Sequence, residues 1–173
     1  MQADFENKTK NIDQMKMFYS TGRLIYDPTL ALNVKTTKEP YWLILDCDNQ
    51  IARYYRWLVR KHLYLDWLIG PAWGAHISII RGETPTHPEF WGQENGKLLH
   101  FEYSGEVRNN GKHYWLDVVS PQISDVRERL GLGRKPKFSN FHLTIGNLDI
   151  PPETPEQRVL RLASMLNDPK TNS

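Results

Sequence analysis

Two short runs in this chain share one alternation. In "HISII" (residues 76–80) and "HLTI" (residues 142–145), polar and apolar residues take turns, and each run opens on a histidine followed two places later by a hydroxyl residue. Side chains i and i+2 of a strand point to the same face. Each run therefore predicts a strand with one apolar face, Ile77 and Ile79 in the first and Phe141, Leu143 and Ile145 in the second. The opposite face presents an imidazole beside a hydroxyl: His76 with Ser78, and His142 with Thr144.

The surrounding sequence places these strands in similar company. "YWLILD" (residues 41–46) reads as a buried strand. "NQIARYYRWLVRKHL" (residues 49–63) has helical period, with Ile51, Tyr54, Tyr55, Leu58 and His62 on one stripe and Arg53, Arg56 and Arg60 on a wet opposite face. A long loop rich in Gly, Pro and polar residues follows the first motif. "LLHFEYSG" and "HYWLDVV" read as strands joined by a hairpin at "NNGK", where Asn-Gly suits a type I′ turn. "SPQISDVRERLGLG" reads as a helix with Ser120 as N-cap, Pro121 at the first position and Gly131 as its stop. "TPEQRVLRLASMLN" reads as a last helix, opened by a capping box at Thr154. The class is α+β with antiparallel pairing, in two similar lobes.

The 173 residues suffice for one domain, 1–173, with residues 1–16 as a loose polar tail. No apolar run is long enough for a membrane span, and the polar N-terminus predicts no secretory leader. A single cysteine, Cys47, excludes an internal disulfide and disfavours a thiolate zinc cluster. His-x-His and HExxH spacings are missing, so neither a metal nor another cofactor is expected. The net charge of +2 admits a phosphate-bearing ligand but is small for a general RNA-binding protein. A monomer is the default.

Two histidines facing one site suit phosphodiester cleavage. One imidazole takes a proton from the nucleophile and the other gives one to the leaving oxygen, both near neutral pH. The Ser78 and Thr144 hydroxyls would donate to the non-bridging oxygens, where charge builds. Other candidates lie around the motifs. Trp73 precedes the first and suits base stacking. Arg81 follows it and suits phosphate steering. Tyr19 and Arg23, in "FYSTGRLIYDP", read as a ligand-facing loop around Gly22. Trp91 sits in the long loop as a lid residue. Arg134, Lys135 and Lys137 form a cationic approach just before the second motif.

The paired "HIS" and "HLT" tripeptides resemble the two-histidine phosphoesterase superfamily, which includes RNA-end cyclic phosphodiesterases and 2′-5′ RNA ligase-like proteins. "MFYSTGRLIYDP", "YWLILD", "WGAHISIIRGE" and "HLTIGNL" are similar to the anti-CBASS nucleases of tailed phages, over roughly residues 17–148. The resemblance implies two pseudo-symmetric lobes with a catalytic cleft between them. His76 and His142 would be the acid/base pair, and Ser78 and Thr144 the phosphate holders. The implied activity is metal-independent opening of cyclic di- and trinucleotide immune signals in the cytoplasm of an infected bacterial host. The competing expectations are an RNA-end 2′,3′-cyclic phosphodiesterase, which uses the same four residues, and a nucleotide-binding sponge, which needs no acid/base pair.

Overall fold

The computed structural model describes residues 16–28, 40–137 and 139–148. The expected N-terminal tail, Lys16 apart, and the helix expected from Thr154 lie outside them. The described elements are β1 (Met17–Tyr26), β2 (Leu43–Cys47), α1 (Asn49–Leu63), β3 (His76–Ile80), β4 (Leu98–Asn109), β5 (His113–Val119), α2 (Pro121–Arg129) and β6 (His142–Asn147). The order strand, strand, helix, strand thus occurs twice. Every strand pair is antiparallel.

The six strands close into one barrel in the order β1-β2-β3-β6-β5-β4. This corrects the expectation of a separate sheet in each lobe. β3 pairs with β6 and β1 with β4, so the two repeats are joined at both edges. Among the described strands, closure leaves no free sheet edge to protect.

One row of side chains explains why the strands pair in this register. Leu24, Leu45, Ile77, Leu143 and Leu116 follow one another across β1, β2, β3, β6 and β5, and each is 0 % exposed. Burying each is worth about 1.5–3 kcal/mol, and a slip by one residue would turn the whole row to the opposite face. That row fixes where the intervening polar residues go.

The helices cover this core. Asp48 caps α1, its carboxylate accepting from the Gln50 amide at 2.9 Å. The buried stripe of α1 is Ala52, Tyr55 and Val59, with Ile51 and Leu58 half-buried, whereas Tyr54 and His62 are exposed. The expected stripe is therefore rotated. Two of the three arginines assigned to a wet face turn inward: Arg56 donates to the Ile145 carbonyl at 2.8 Å and Arg60 to the Leu68 carbonyl at 2.6 Å. α2 starts as its sequence signals, with Ser120 Oγ accepting from the Ile123 amide at 3.2 Å and Pro121 in the first position. Gly131, at φ +77°, ends it in the left-handed region.

Two local expectations are corrected. The segment read as a ligand loop around Tyr19 and Arg23 is the ten-residue strand β1. The β4–β5 hairpin turns through residues 110–112, with only Gly111 at positive φ, so it is not a two-residue type I′ turn.

Candidate active site

Ile77 and Leu143 are direct cross-strand partners on β3 and β6. Their shared burial decides the orientation of everything beside them. An antiparallel register centred on that pair sets His76 across from Thr144 and Ser78 across from His142. All four are half-buried, in contrast to the fully buried pair between them. Directly opposed Cβ atoms stand about 4.5–5.5 Å apart, and diagonal neighbours such as the two histidines about 7–8 Å.

Both imidazoles are held in the same way. His76 Nδ1 bonds the Gly74 carbonyl at 2.9 Å, and His142 Nδ1 bonds the Asn140 carbonyl at 2.9 Å. A carbonyl only accepts, so Nδ1 carries hydrogen in both rings. The neutral imidazole then presents a bare Nε2, and the protonated one presents Nε2–H. The turn that carries the Gly74 carbonyl is itself fixed. Gly74 sits at φ +94°, a Cβ there would lie 2.7 Å from Asn49 Oδ1, and that oxygen accepts from the Ala75 amide at 2.8 Å.

The strand register adds a carboxylate beside each histidine, and sequence reading missed both. Asp46 on β2 pairs with His76, and Asp117 on β5 pairs with His142. The two histidines differ in surroundings. Burial pushes the His76 imidazole below its ordinary value, and the Arg81 guanidinium and the His142 ring push the same way, against the Gly74 carbonyl and Asp46. His142 instead opens on two cavities. One, of about 270 Å³, is lined by Ser78, Arg81, Lys137, Ser139 and His142, and also by Glu83, whose carboxylate is engaged by Arg127. The second, of about 480 Å³, is lined by His142 together with Trp115 and Asp117 of β5.

Arg127 shapes the first cavity without any exposure of its own. Its guanidinium forks onto Glu83 at 2.8 and 2.9 Å. It also donates to the carbonyls of Ile79 (2.7 Å), Gly133 (2.7 Å) and Lys135 (2.9 Å). It thereby ties the end of β3 to the loop that leads into β6, and Arg81 and Lys137 from these two segments line the same cavity.

The remaining sequence candidates fall in different places. Trp73 packs edge-to-face on Trp42 at 6.1 Å, and Arg81 lies 5.3 Å above the Trp42 ring, which links Trp73 to the cationic cavity. Tyr19, 80 % exposed, sits on β1, two strands away from β3. Trp91, read as a lid residue, is anchored to β1 and to the segment before β2. Its Nε1 donates to Asp27 at 2.8 Å, and its ring packs edge-to-face on Tyr26 and Tyr41. Arg134 is paired with Asp125 and Glu128, and Arg23 donates to the Gly96 carbonyl at 2.8 Å. Cys47 is buried, and burial pushes its thiol up.

Among the described residues, no group of three or more His, Cys, Asp or Glu is placed to hold a metal ion. No helix among them is long and apolar enough to cross a membrane. No protein-family model matches the chain, and no curated protein or solved structure matches it.

Proposed function

We propose that this chain is a two-histidine phosphodiesterase that opens cyclic di- and trinucleotides at 3′-5′ bonds and leaves linear 3′-phosphate products. The observation that carries this reading is the Ile77–Leu143 pairing, which sets both His-x-Ser/Thr motifs side by side on one face. The two repeats contribute one motif each, on the adjacent strands β3 and β6, and in this reading the substrate lies across the face that the two strands share. The adjoining cavities suit a small ligand. A cationic cavity touching Ser78 and His142 suits its phosphate.

His76 is the base and His142 the acid in this scheme. The deeper His76, held neutral by burial, takes the proton of the ribose 2′-hydroxyl at Nε2. O2′ then attacks the adjacent phosphorus, the P–O5′ bond breaks, and His142 Nε2–H protonates the departing O5′. Ser78 and Thr144 donate to the non-bridging oxygens as charge gathers there. The resulting 2′,3′-cyclic phosphate is opened by water with the two roles reversed, giving the 3′-phosphate. Asp117, opposite His142, offers a charge of the sign that an imidazolium attracts. The chain acts in this reading as a monomer in the cytoplasm of an infected bacterium, and loss of the cyclic signal blocks CBASS defence.

The test is incubation with a 3′,5′-linked cyclic dinucleotide in EDTA, with products followed by chromatography and mass spectrometry. Linear 3′-phosphate, missing with a His76→Ala, His142→Ala double variant, is the expected result. An intact ring that nonetheless binds would overturn it in favour of a sponge. An intact ring alongside turnover of RNA ending in a 2′,3′-cyclic phosphate would favour the RNA-end enzyme.

A further inference from the structure

The cavity of about 480 Å³ beside His142 differs in character from the cationic one. Its wall is aromatic and polar: Trp115, Asp117, His113, Asn110 and Asn140, together with Ser139 and His142. Ser139 and His142 also line the cationic cavity, so the two spaces meet at the imidazole. The Trp115 indole is fixed in place. Its Nε1 donates to Asp117 Oδ1 at 3.1 Å, and its ring stands edge-on to His142, 6.2 Å between centroids. Trp115 is also the cross-strand partner of Thr144.

We infer that this cavity is a nucleobase subsite, in which Trp115 stacks the base of the nucleoside that departs through its 5′-oxygen. The inference rests on the proposed phosphodiesterase reading, with His142 as the group that protonates O5′. The cavity is lined by His142 and by β5 residues but not by Ser78, and β5 flanks β6 on the edge opposite β3, so a nucleoside leaving at His142 has this space beside it. An immobilised indole is a stacking platform with little entropy left to lose. The Asp117 carboxylate, whose side chain is 44 % exposed, keeps acceptor capacity beyond its bonds to Trp115 and Arg108. It would take a hydrogen bond from a base N–H, which favours a base with an amino edge.

Adenosine 5′-monophosphate mimics that leaving nucleoside, and ribose 5-phosphate carries the same phosphate without a base. Calorimetric titration of the full chain is expected to show the nucleotide binding about tenfold more tightly or better, the scale of one stacked base. Trp115→Leu should reduce that preference to about threefold or less, with ribose 5-phosphate affinity unchanged. The indole N–H signal of Trp115 reads the same contact in the unmodified chain. It should move with the nucleotide and stay put with ribose 5-phosphate. Equal affinities for the two probes, both weakened by His142→Ala, would overturn the base subsite while leaving the phosphate site standing. Binding of neither probe would overturn the subsite, and opening of the ring in EDTA decides the phosphodiesterase reading separately. A Trp115 signal that stays fixed at saturating nucleotide overturns the subsite even if Trp115→Leu fails to fold.

Discussion

Ile77 on β3 and Leu143 on β6 face each other directly, and neither exposes any surface. Because side chains alternate along a strand, this one buried pair delivers His76, Ser78, His142 and Thr144 to the opposite face as a group. Removing single members should then separate proton transfer from charge stabilisation. His76→Ala and His142→Ala should each lower kcat on a cyclic dinucleotide by about 10²–10⁴-fold. Ser78→Ala and Thr144→Ala should cost about 10²–10³-fold if each hydroxyl donates to the phosphate in the transition state. Steady-state kinetics with circular dichroism as the folding control decides this. Full activity in either histidine variant would remove that residue from the scheme.

The burial of His76 predicts a pH signature. Its folded-state value lies below the ordinary 6.5, so the ring stays neutral to more acid pH than a free imidazole does. As a base it fails only once protonated. The acid limb of kcat/KM should therefore bend below pH 6.5, and the His76 ring resonances should titrate there too. The same shift acts on stability. As pH falls from 6.5 towards the folded value, the unfolded chain takes up a proton that the folded chain refuses, so stability declines across that window. Denaturant titrations of the wild type and His76→Gln at pH 7.5 and pH 5.5 should show a smaller decline in the variant. A His76 midpoint above 6.5 would contradict the geometry of a buried neutral base.

Arg127 makes a stability prediction of a different kind. It is fully buried, and its carboxylate partner Glu83 is only 16 % exposed. Arg127→Met strips the partner from a mostly buried carboxylate and frees three carbonyls, so it should cost about 3–5 kcal/mol. Glu83→Gln added to Arg127→Met should recover part of that loss by removing the stranded charge. Urea unfolding of the two variants measures both. A loss below about 1 kcal/mol would mean that the fork on Glu83 is worth no more than a surface pair.

These residues also show what sequence could and could not convey. The caps of α2 were legible because Ser120, Pro121 and Gly131 act within one turn of their own helix. The two histidine strands were legible because alternation is local. β1 was not, since Gly22 and polar neighbours mimic a loop. The glycine is instead required by contact, as a Cβ there would lie 2.6 Å from Leu45 Cγ on the next strand. Asp46, Asp117 and Trp115 gain their meaning only from register across the barrel, which pairs each with a motif residue far away in the chain. The inward turn of Arg56 and Arg60 is likewise set by which carbonyls lie under α1, not by helical period.

The scheme makes the substrate's own 2′-hydroxyl the nucleophile, and that can be tested by deleting it. In a cyclic dinucleotide with one ribose and one 2′-deoxyribose, only the phosphodiester attached to the 3′-oxygen of the ribose has a neighbouring 2′-hydroxyl. That bond should break at close to the normal rate and the other should persist. The expected product is a single linear dinucleotide with its 3′-phosphate on the ribose, and a ring made wholly of 2′-deoxyribose should resist. His76 and His142 would still bind such a ring, so it should act as a competitive inhibitor. If water were the direct nucleophile, both bonds would be cut and both linear isomers would appear in the mass spectrum. Equal cleavage of the two bonds therefore overturns internal attack while leaving two-histidine acid/base catalysis in place. The outcome also fixes what His76 must reach: an oxygen already carried by the bound ring, rather than a water held beside it.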